Sequence, residues 1–141
     1  MKLVLDTNIL FSFFRENPVR FVIVNSSLME LTLFTPAYAL EELWNNKREL
    51  GRYSHLAEKE LKFILIQLHS FIAVKPISFF NEYKKEAMRI SPDQKDSPFF
   101  ALALKLKAAL WSNEPRLRRQ SAVKVLSTQE VLKILKIGKT T

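Results

Sequence analysis

The sequence predicts an α/β fold built on a parallel sheet with helices over both faces. Short apolar runs recur along the chain, beginning with Leu3-Val4-Leu5 and returning at Leu31-Thr32-Leu33-Phe34, Ile72-Ala73-Val74, Ala109-Leu110-Trp111-Ser112 and Val123-Lys124-Val125-Leu126. Amphipathic stretches with helical spacing separate them, and proline, asparagine or glycine punctuates the joins. A strand that is apolar on successive residues suits a parallel sheet buried on both sides better than a half-wet antiparallel one. Regular alternation of such strands with helices is the signature of βαβ units, whose crossovers are right-handed.

Taken in order, Lys2 to Leu5 form the first strand, which stops at Asp6-Thr7-Asn8. Ile9 to Phe14 and Val19 to Leu28 read as helical segments divided at Asn17-Pro18, where proline can open the second. After the strand at Leu31, Pro36 starts a helix whose apolar stripe is Ala37, Leu40, Trp44 and Leu50, ending near Gly51. His55 to Phe71 makes a long amphipathic helix, with Leu56, Leu61, Ile64, Leu65 and Leu68 inside and Glu58, Lys59, Lys62 and Gln67 outside. Phe79 to Ile90 is another helix, closed by the polar break Ser91-Pro92-Asp93-Gln94-Lys95-Asp96. From Ser97 a helix carries Phe99, Phe100, Leu102, Ala103, Leu106 and Ala109 into the next strand. Arg116 to Gln120 form a short helix after Asn113-Glu114-Pro115. Ser127-Thr128-Gln129-Glu130 is a capping box that opens a last helix through Leu135. Residues 1–141 are expected to be one domain, with a short basic tail from about Gly138.

The 141 residues suffice for one well-buried core, and 48% hydrophobic content argues against disorder. With no cysteine, disulfides and thiolate-held zinc or iron–sulfur centres are excluded. One lysine and three apolar residues before Asp6 are too few for a signal-peptide core, and no apolar run nears the roughly 18 residues of a membrane span. The expectation is a cytoplasmic protein with no membrane association. A net charge of +8 biases the surface towards polyanions, since each lysine or arginine that meets a phosphate releases counterions.

The topology sends acids to one edge of the sheet. Asp6 leaves the first strand at its carboxyl end, where ligands gather in open α/β sheets. Asp6 alone is equally well placed as a helix cap. The Pro36 helix starts at the same edge with Glu41 and Glu42 in its second turn, and helical side chains lean back towards that start. A helix that precedes a parallel strand begins at this edge too, which brings Asp93 and Asp96 there. Ser112-Asn113-Glu114 leaves the strand of Leu110 at the same rim. Clustered carboxylates oppose one another's ionisation unless a cation joins them, and hard oxygens without thiolates suit Mg²⁺ or Mn²⁺. One or two such ions can lower the pKa of water, orient a phosphate and stabilise a leaving oxygen, which is the chemistry of phosphodiester hydrolysis.

In this order, Asp6-Thr7-Asn8, the acid pair within Pro36-Ala37-Tyr38-Ala39-Leu40-Glu41-Glu42-Leu43, the stretch from Asp93 to Leu104 and Leu110-Trp111-Ser112-Asn113-Glu114 resemble the PIN-domain nucleases over nearly the whole chain. The resemblance implies a three-layer α/β/α sandwich and metal-dependent cleavage of single-stranded RNA. It also implies frequent homodimers and, for many small members, the toxin role in VapBC-type toxin–antitoxin pairs, with an antitoxin protein as partner. By the same resemblance Asp6, one of Glu41 and Glu42, and Asp96 match the metal-binding acids, Asp93 an accompanying acid, and Asn8 and Ser112 polar neighbours that position ligands or water. Glu114 stands where the family usually has aspartate, so its extra methylene shifts the reach of the charge at a second metal position.

Helical phase leaves the acid pair open: Glu41 lies on the edge of the Ala37–Trp44 stripe, Glu42 on the wetter side with Tyr38 and Asn45. The family habit of an acid directly before leucine favours Glu42. Arg116, Arg118 and Arg119, just past Glu114, and Lys47, Arg48 and Arg52 are candidates to contact RNA phosphates, against the alternative of a solvated surface. His55 and His69 are out of phase for a metal pair. Phe11, Phe13 and Phe14, with the helix from Phe21 to Leu28, suit either core or a partner surface. The alternative to a nuclease is a PIN-fold RNA-binding or scaffold protein whose acids no longer cleave, with Glu114 as the feature that favours it.

Overall fold

A computed structural model describes residues 1–137. The proposed basic tail from Gly138 lies outside the described residues. Five strands, β1 (Lys2–Leu5), β2 (Thr32–Pro36), β3 (Ile72–Lys75), β4 (Ala109–Trp111) and β5 (Val125–Leu126), form one sheet in the order β3-β2-β1-β4-β5. Every pairing is parallel. The central runs are buried as expected, with Leu3, Val4, Leu5 and Leu110 inaccessible to solvent, whereas in the edge strand β3 only Ile72 is buried.

The sheet grows outward on one side from β1 through β2 to β3, then the chain crosses back to place β4 on the other side of β1. With right-handed crossovers this reversal puts the helices of the first two crossovers and those of the third on opposite faces, giving a three-layer α/β/α sandwich. The first group comprises α1 (Thr7–Ser12), α2 (Pro18–Val24), α3 (Ala37–Asn45), α4 (Lys47–Ser54) and α5 (Glu58–Leu68). The second comprises α6 (Ile77–Phe80), α7 (Lys84–Ile90) and α8 (Ser97–Leu106); α9 (Thr128–Leu135) closes the described chain. Phe99 to Ala103 of α8 are all buried, and this helix packs across β1, β2 and β4.

Several helices are shorter or more divided than their apolar patterns predict, each for a local reason. The stripe from Ala37 to Leu50 is one pattern but two helices, because Asn46 leaves helical geometry (φ −107°, ψ 26°) and its Nδ2 donates to the Glu42 carbonyl at 2.9 Å. Leu50 still reaches the core across the break. The second helix stops at Val24, where Asn25 caps it through Phe21 O, leaving Leu28 on an exposed turn. His55 takes a left-handed conformation (φ 61°), so the long helix begins at Glu58. A 3-10 turn at Asn81–Tyr83 separates α6 from α7. Lys107, also left-handed, ends α8 before β4, with Ala108 N–H donating back to Ala103 O at 3.0 Å. The capping box forms as expected: Ser127 Oγ accepts from Glu130 N–H at 3.2 Å and Glu130 Oε1 from Ser127 N–H at 2.9 Å. Among the described residues no helix is long and apolar enough to cross a membrane.

Candidate metal centre

Strand register builds the site. Leu5 pairs with Trp111 on β4, so one step further Asp6 stands beside Ser112; Val4 pairs with Phe34 on β2, so the same step meets Pro36 and the start of α3. Asp6 N–H extends the ladder by donating to Trp111 O at 3.3 Å, and the Thr35 hydroxyl donates to Leu5 O at 2.9 Å. The carboxyl ends of β1, β2 and β4 are thereby locked at one level. This is the position where the strand order reverses, the switch point at which open α/β sheets bind ligands.

A cavity of about 210 Å³ opens there, lined by Asp6, Thr7, Asn8, Glu42, Asn46, Lys95, Asp96, Phe99, Glu114, Arg116 and Leu117. Four separated segments thus supply one acid each. Asp93 and Glu41 do not line it: Asp93 is exposed and caps a 3-10 turn by accepting from Lys95 N–H at 3.1 Å, and Glu41 is exposed on the outer side of α3. The size and polarity suit a hydrated ion and a phosphodiester rather than a bulky apolar ligand.

Asp6 is 7% exposed and caps α1, its Oδ1 accepting from Ile9 N–H at 2.9 Å. Capping and site placement are therefore compatible. Burial, reinforced by the charges of Glu114 and Asp96, pushes its carboxyl up to about 6 against the opposing pull of Ser112 and Ile9 N–H. Ser112 is fully buried, with Oγ accepting from Glu114 N–H at 3.1 Å. Asp96 holds the N-cap position of α8 but makes no capping hydrogen bond. Its two oxygens instead take Arg116, Nη1 to Oδ2 at 2.5 Å and Nη2 to Oδ1 at 3.3 Å. That pairing raises the Arg116 guanidinium still further above its ordinary range.

Glu42 accepts from the Thr7 hydroxyl, tying α3 to α1, and Glu114 Oε1 accepts from Asn8 Nδ2 at 3.2 Å. Tyr38, edge-on to Phe99 with centroids 6.3 Å apart, stands near the acids; burial and then Glu42 raise its phenol above the usual range. Thr7, Tyr38, Asn46 and Lys95 were not singled out from sequence. Thr7 and Lys95 lie inside the quoted motifs, and helical phase had already put Tyr38 on the side of Glu42. The signal for Asn46 was its spacing, four residues after Glu42 and so on the same helix face.

Among the described residues no three His, Asp or Glu side chains converge in their present rotamers as a ready ligand set. Three of the four acids are engaged by internal donors instead, Asp96 by Arg116, Glu42 by Thr7 and Glu114 by Asn8. The donor chemistry nevertheless fits a hard divalent ion: carboxylates and hydroxyls, no thiolate, and an acid whose ionisation is opposed first by burial and then by acidic neighbours, which a cation would offset.

The other cations proposed to contact RNA do not line this cavity. Arg118 pairs with Glu130, Arg52 with Glu49, and Lys47 with Glu58 at 2.6 Å while its ammonium stands 4.8 Å over the Trp44 ring. Lys47 and Arg48 line a separate depression, and Arg119 is exposed. His55 and His69 are exposed and on different elements. Phe13 and Phe14 belong to the core, whereas Phe21, Val24 and Leu28 face solvent.

The PIN domain family matches residues 4–136, so the chain belongs to that family. Among curated proteins none matches. Solved structures with the same fold include VapBC2 from Rickettsia felis bound to a DNA fragment from their promoter. It is 17% identical, covers 90% of this chain and 98% of its own, and has a TM-score of 0.61. PAE2754 from Pyrobaculum aerophilum is 12% identical over 96% of this chain and 90% of its own, at 0.65. FitAcB from Neisseria gonorrhoeae is 16% identical over 90% and 98%, at 0.61.

Proposed function

We propose that this PIN-domain protein is an endoribonuclease that cleaves single-stranded RNA using one or two Mg²⁺ or Mn²⁺ ions. The observation that carries the reading is the delivery of Asp6, Glu42, Asp96 and Glu114 by four separate segments to one small cleft in a chain of net charge +8. Asp6, Glu42 and Asp96 would hold the ion, with Glu114 at a second position and Asp93 at the margin. Bound there, a divalent ion supplies Lewis acidity that activates water and stabilises charge on the leaving oxygen. Asp6 is held in place by its cap to Ile9 and by Ser112, and Thr7 sets the rotamer of Glu42. Asn8 keeps Glu114 beside the cleft, and Ser112 fixes the backbone from which Glu114 projects. Lys95 and Arg116, the two cations in the lining, would receive phosphate charge, and Arg118, Arg119, Lys47, Arg48 and Arg52 would lend the surface its affinity for RNA.

The role proposed for the cell is the toxin of a toxin–antitoxin pair, acting as a homodimer in the cytoplasm. A small open reading frame beside the gene, encoding a DNA-binding antitoxin, would support that role. The enzymatic reading is tested with labelled single-stranded RNA and Mn²⁺. Cleavage by the wild type, abolished by chelator and reduced at least about 100-fold in Asp6→Asn and Asp96→Asn, is the expected result. Full activity in both variants would refute it.

A second reading, an RNA-binding PIN-fold protein that does not cleave, draws on the Arg116 pair that occupies Asp96 and on Glu114. It calls for RNA binding with no Mn²⁺-dependent product in the same assay.

A further inference from the structure

Arg116 turns into the acid cleft instead of out to solvent. It belongs to the 3-10 turn Pro115–Arg119, directly after Glu114, and its guanidinium spans both oxygens of Asp96. Asp96 is one of the two buried carboxylates of the described chain, its side chain 11% exposed against 34% for Arg116. Among the described residues the other ion pairs, those of Lys47, Arg52, Arg89, Lys105 and Arg118, all join surface glutamates. Arg116 is the one cation there that is paired to an acid of the cleft. Asp96 occupies an N-cap position yet gives that helix no hydrogen bond, so its carboxylate is committed to the guanidinium.

Resting on the metal-dependent reading above, we propose that Arg116 is an exchangeable counterion of the metal centre: it occupies Asp96 in the ion-free protein and leaves that carboxylate when a divalent cation takes it. The guanidinium fork matches a carboxylate bidentately, which uses the same oxygens that an ion would need. A divalent ion in the cleft would also repel a guanidinium at hydrogen-bond distance, so the two occupants compete for Asp96. The pair thus holds the acids in a low-repulsion arrangement without metal, at the expense of metal affinity. Once released, Arg116 stays at the cleft with Lys95, where an incoming phosphate is the next anion within reach. Arg116 is a positioning residue for the ion, acting through Asp96.

Mn²⁺ titration by calorimetry and electron paramagnetic resonance tests this on the wild type, Arg116→Gln, Arg116→Lys and Lys133→Gln. Lys133→Gln removes the same charge from an exposed position on α9. Arg116→Gln is expected to bind Mn²⁺ about tenfold or more tightly, the factor for losing one charge-assisted pair, with Arg116→Lys in between and Lys133→Gln unchanged. In the wild type, the Arg116 guanidinium resonances followed by NMR with Mg²⁺ should move from a protected, hydrogen-bonded position to a solvent-exchanging one on loading. Equal or weaker binding in Arg116→Gln, with Asp6→Asn still abolishing it, overturns the exchange while leaving the metal centre standing. Absence of binding in every variant, Arg116→Gln included, overturns both.

Discussion

At the scale of the residue, Asp6 carries two functions with opposite demands. As a helix cap it is satisfied by Ile9 N–H, but as a buried carboxylate beside Glu114 and Asp96 it ionises only with difficulty. Its folded value near 6 lies above the ordinary 3.8, so folding favours the protonated form. The stability contributed by protonated Asp6 is complete below pH 3.8 and lost as pH rises through 6. The ionised group then costs the metal-free fold on the order of 2–3 kcal/mol. Asparagine keeps the cap without the charge. In chelator, Asp6→Asn is therefore expected to be more stable than the wild type by about 1–3 kcal/mol at pH 8, with the difference vanishing towards pH 4. Thermal melts across that range check it, and a gain that grows on acidification would contradict the assignment. Strand polarity and helix direction dictate which end of each element a residue occupies, so the sequence brought Asp6, the Glu41–Glu42 pair, Asp93, Asp96 and Glu114 to one rim; Glu41 and Asp93 lie outside the cleft lining because helical phase and a local 3-10 turn aim them elsewhere. The partners of those acids were not legible. Whether Arg116 reaches solvent or Asp96 depends on the turn at Pro115, and Thr7 chooses Glu42 only once α1 and α3 are packed together.

At the scale of the element, the five strands and their parallel pairing follow from short apolar runs alternating with helical stretches, and the structure has all five. Helix lengths were harder to read, because apolar periodicity reports which side faces the core and continues through a break in the backbone. Leu50 still reaches the core although Asn46 interrupts the helix between it and Ala37, while Asn46, four residues after Glu42, shares the face that lines the cleft. Where the sequence carried an explicit stop or start signal, as at Asn17-Pro18 and Ser127–Glu130, the boundary was legible. The capping box should behave accordingly. Ser127→Ala removes the acceptor for Glu130 N–H and is expected to cost about 1 kcal/mol, measured by urea denaturation. It should leave Mn²⁺ affinity unaltered, since α9 contributes nothing to the cleft lining; a change in affinity would mean that α9 is coupled to the centre.

At the scale of the whole molecule, a cleft lined by four acids sits in a chain of net charge +8, so the proposed function divides attraction of a polyanion and its hydrolysis between different surfaces. On the proposed reading the basic surface would draw RNA at long range, and the acids would act through an ion that reverses the local charge. RNA binding measured in chelator should therefore weaken steeply with salt, by at least about tenfold between 50 and 200 mM if several phosphates are contacted. Salt-independent binding would show that the charge of +8 is not what holds the substrate. The exposed Phe21, Val24 and Leu28 mark a face whose sequence pattern suited core and surface alike, and only packing separated them from the buried Phe13 and Phe14. The central claim is that Asp6, Glu42 and Asp96 hold a divalent ion. Anomalous scattering from crystals grown with Mn²⁺ tests it most directly. The expected result is a peak within about 2.5 Å of carboxylate oxygens of Asp6 and Asp96, with Arg116 withdrawn from Asp96. A cleft without a peak at saturating Mn²⁺, and with Arg116 still on Asp96, would contradict it.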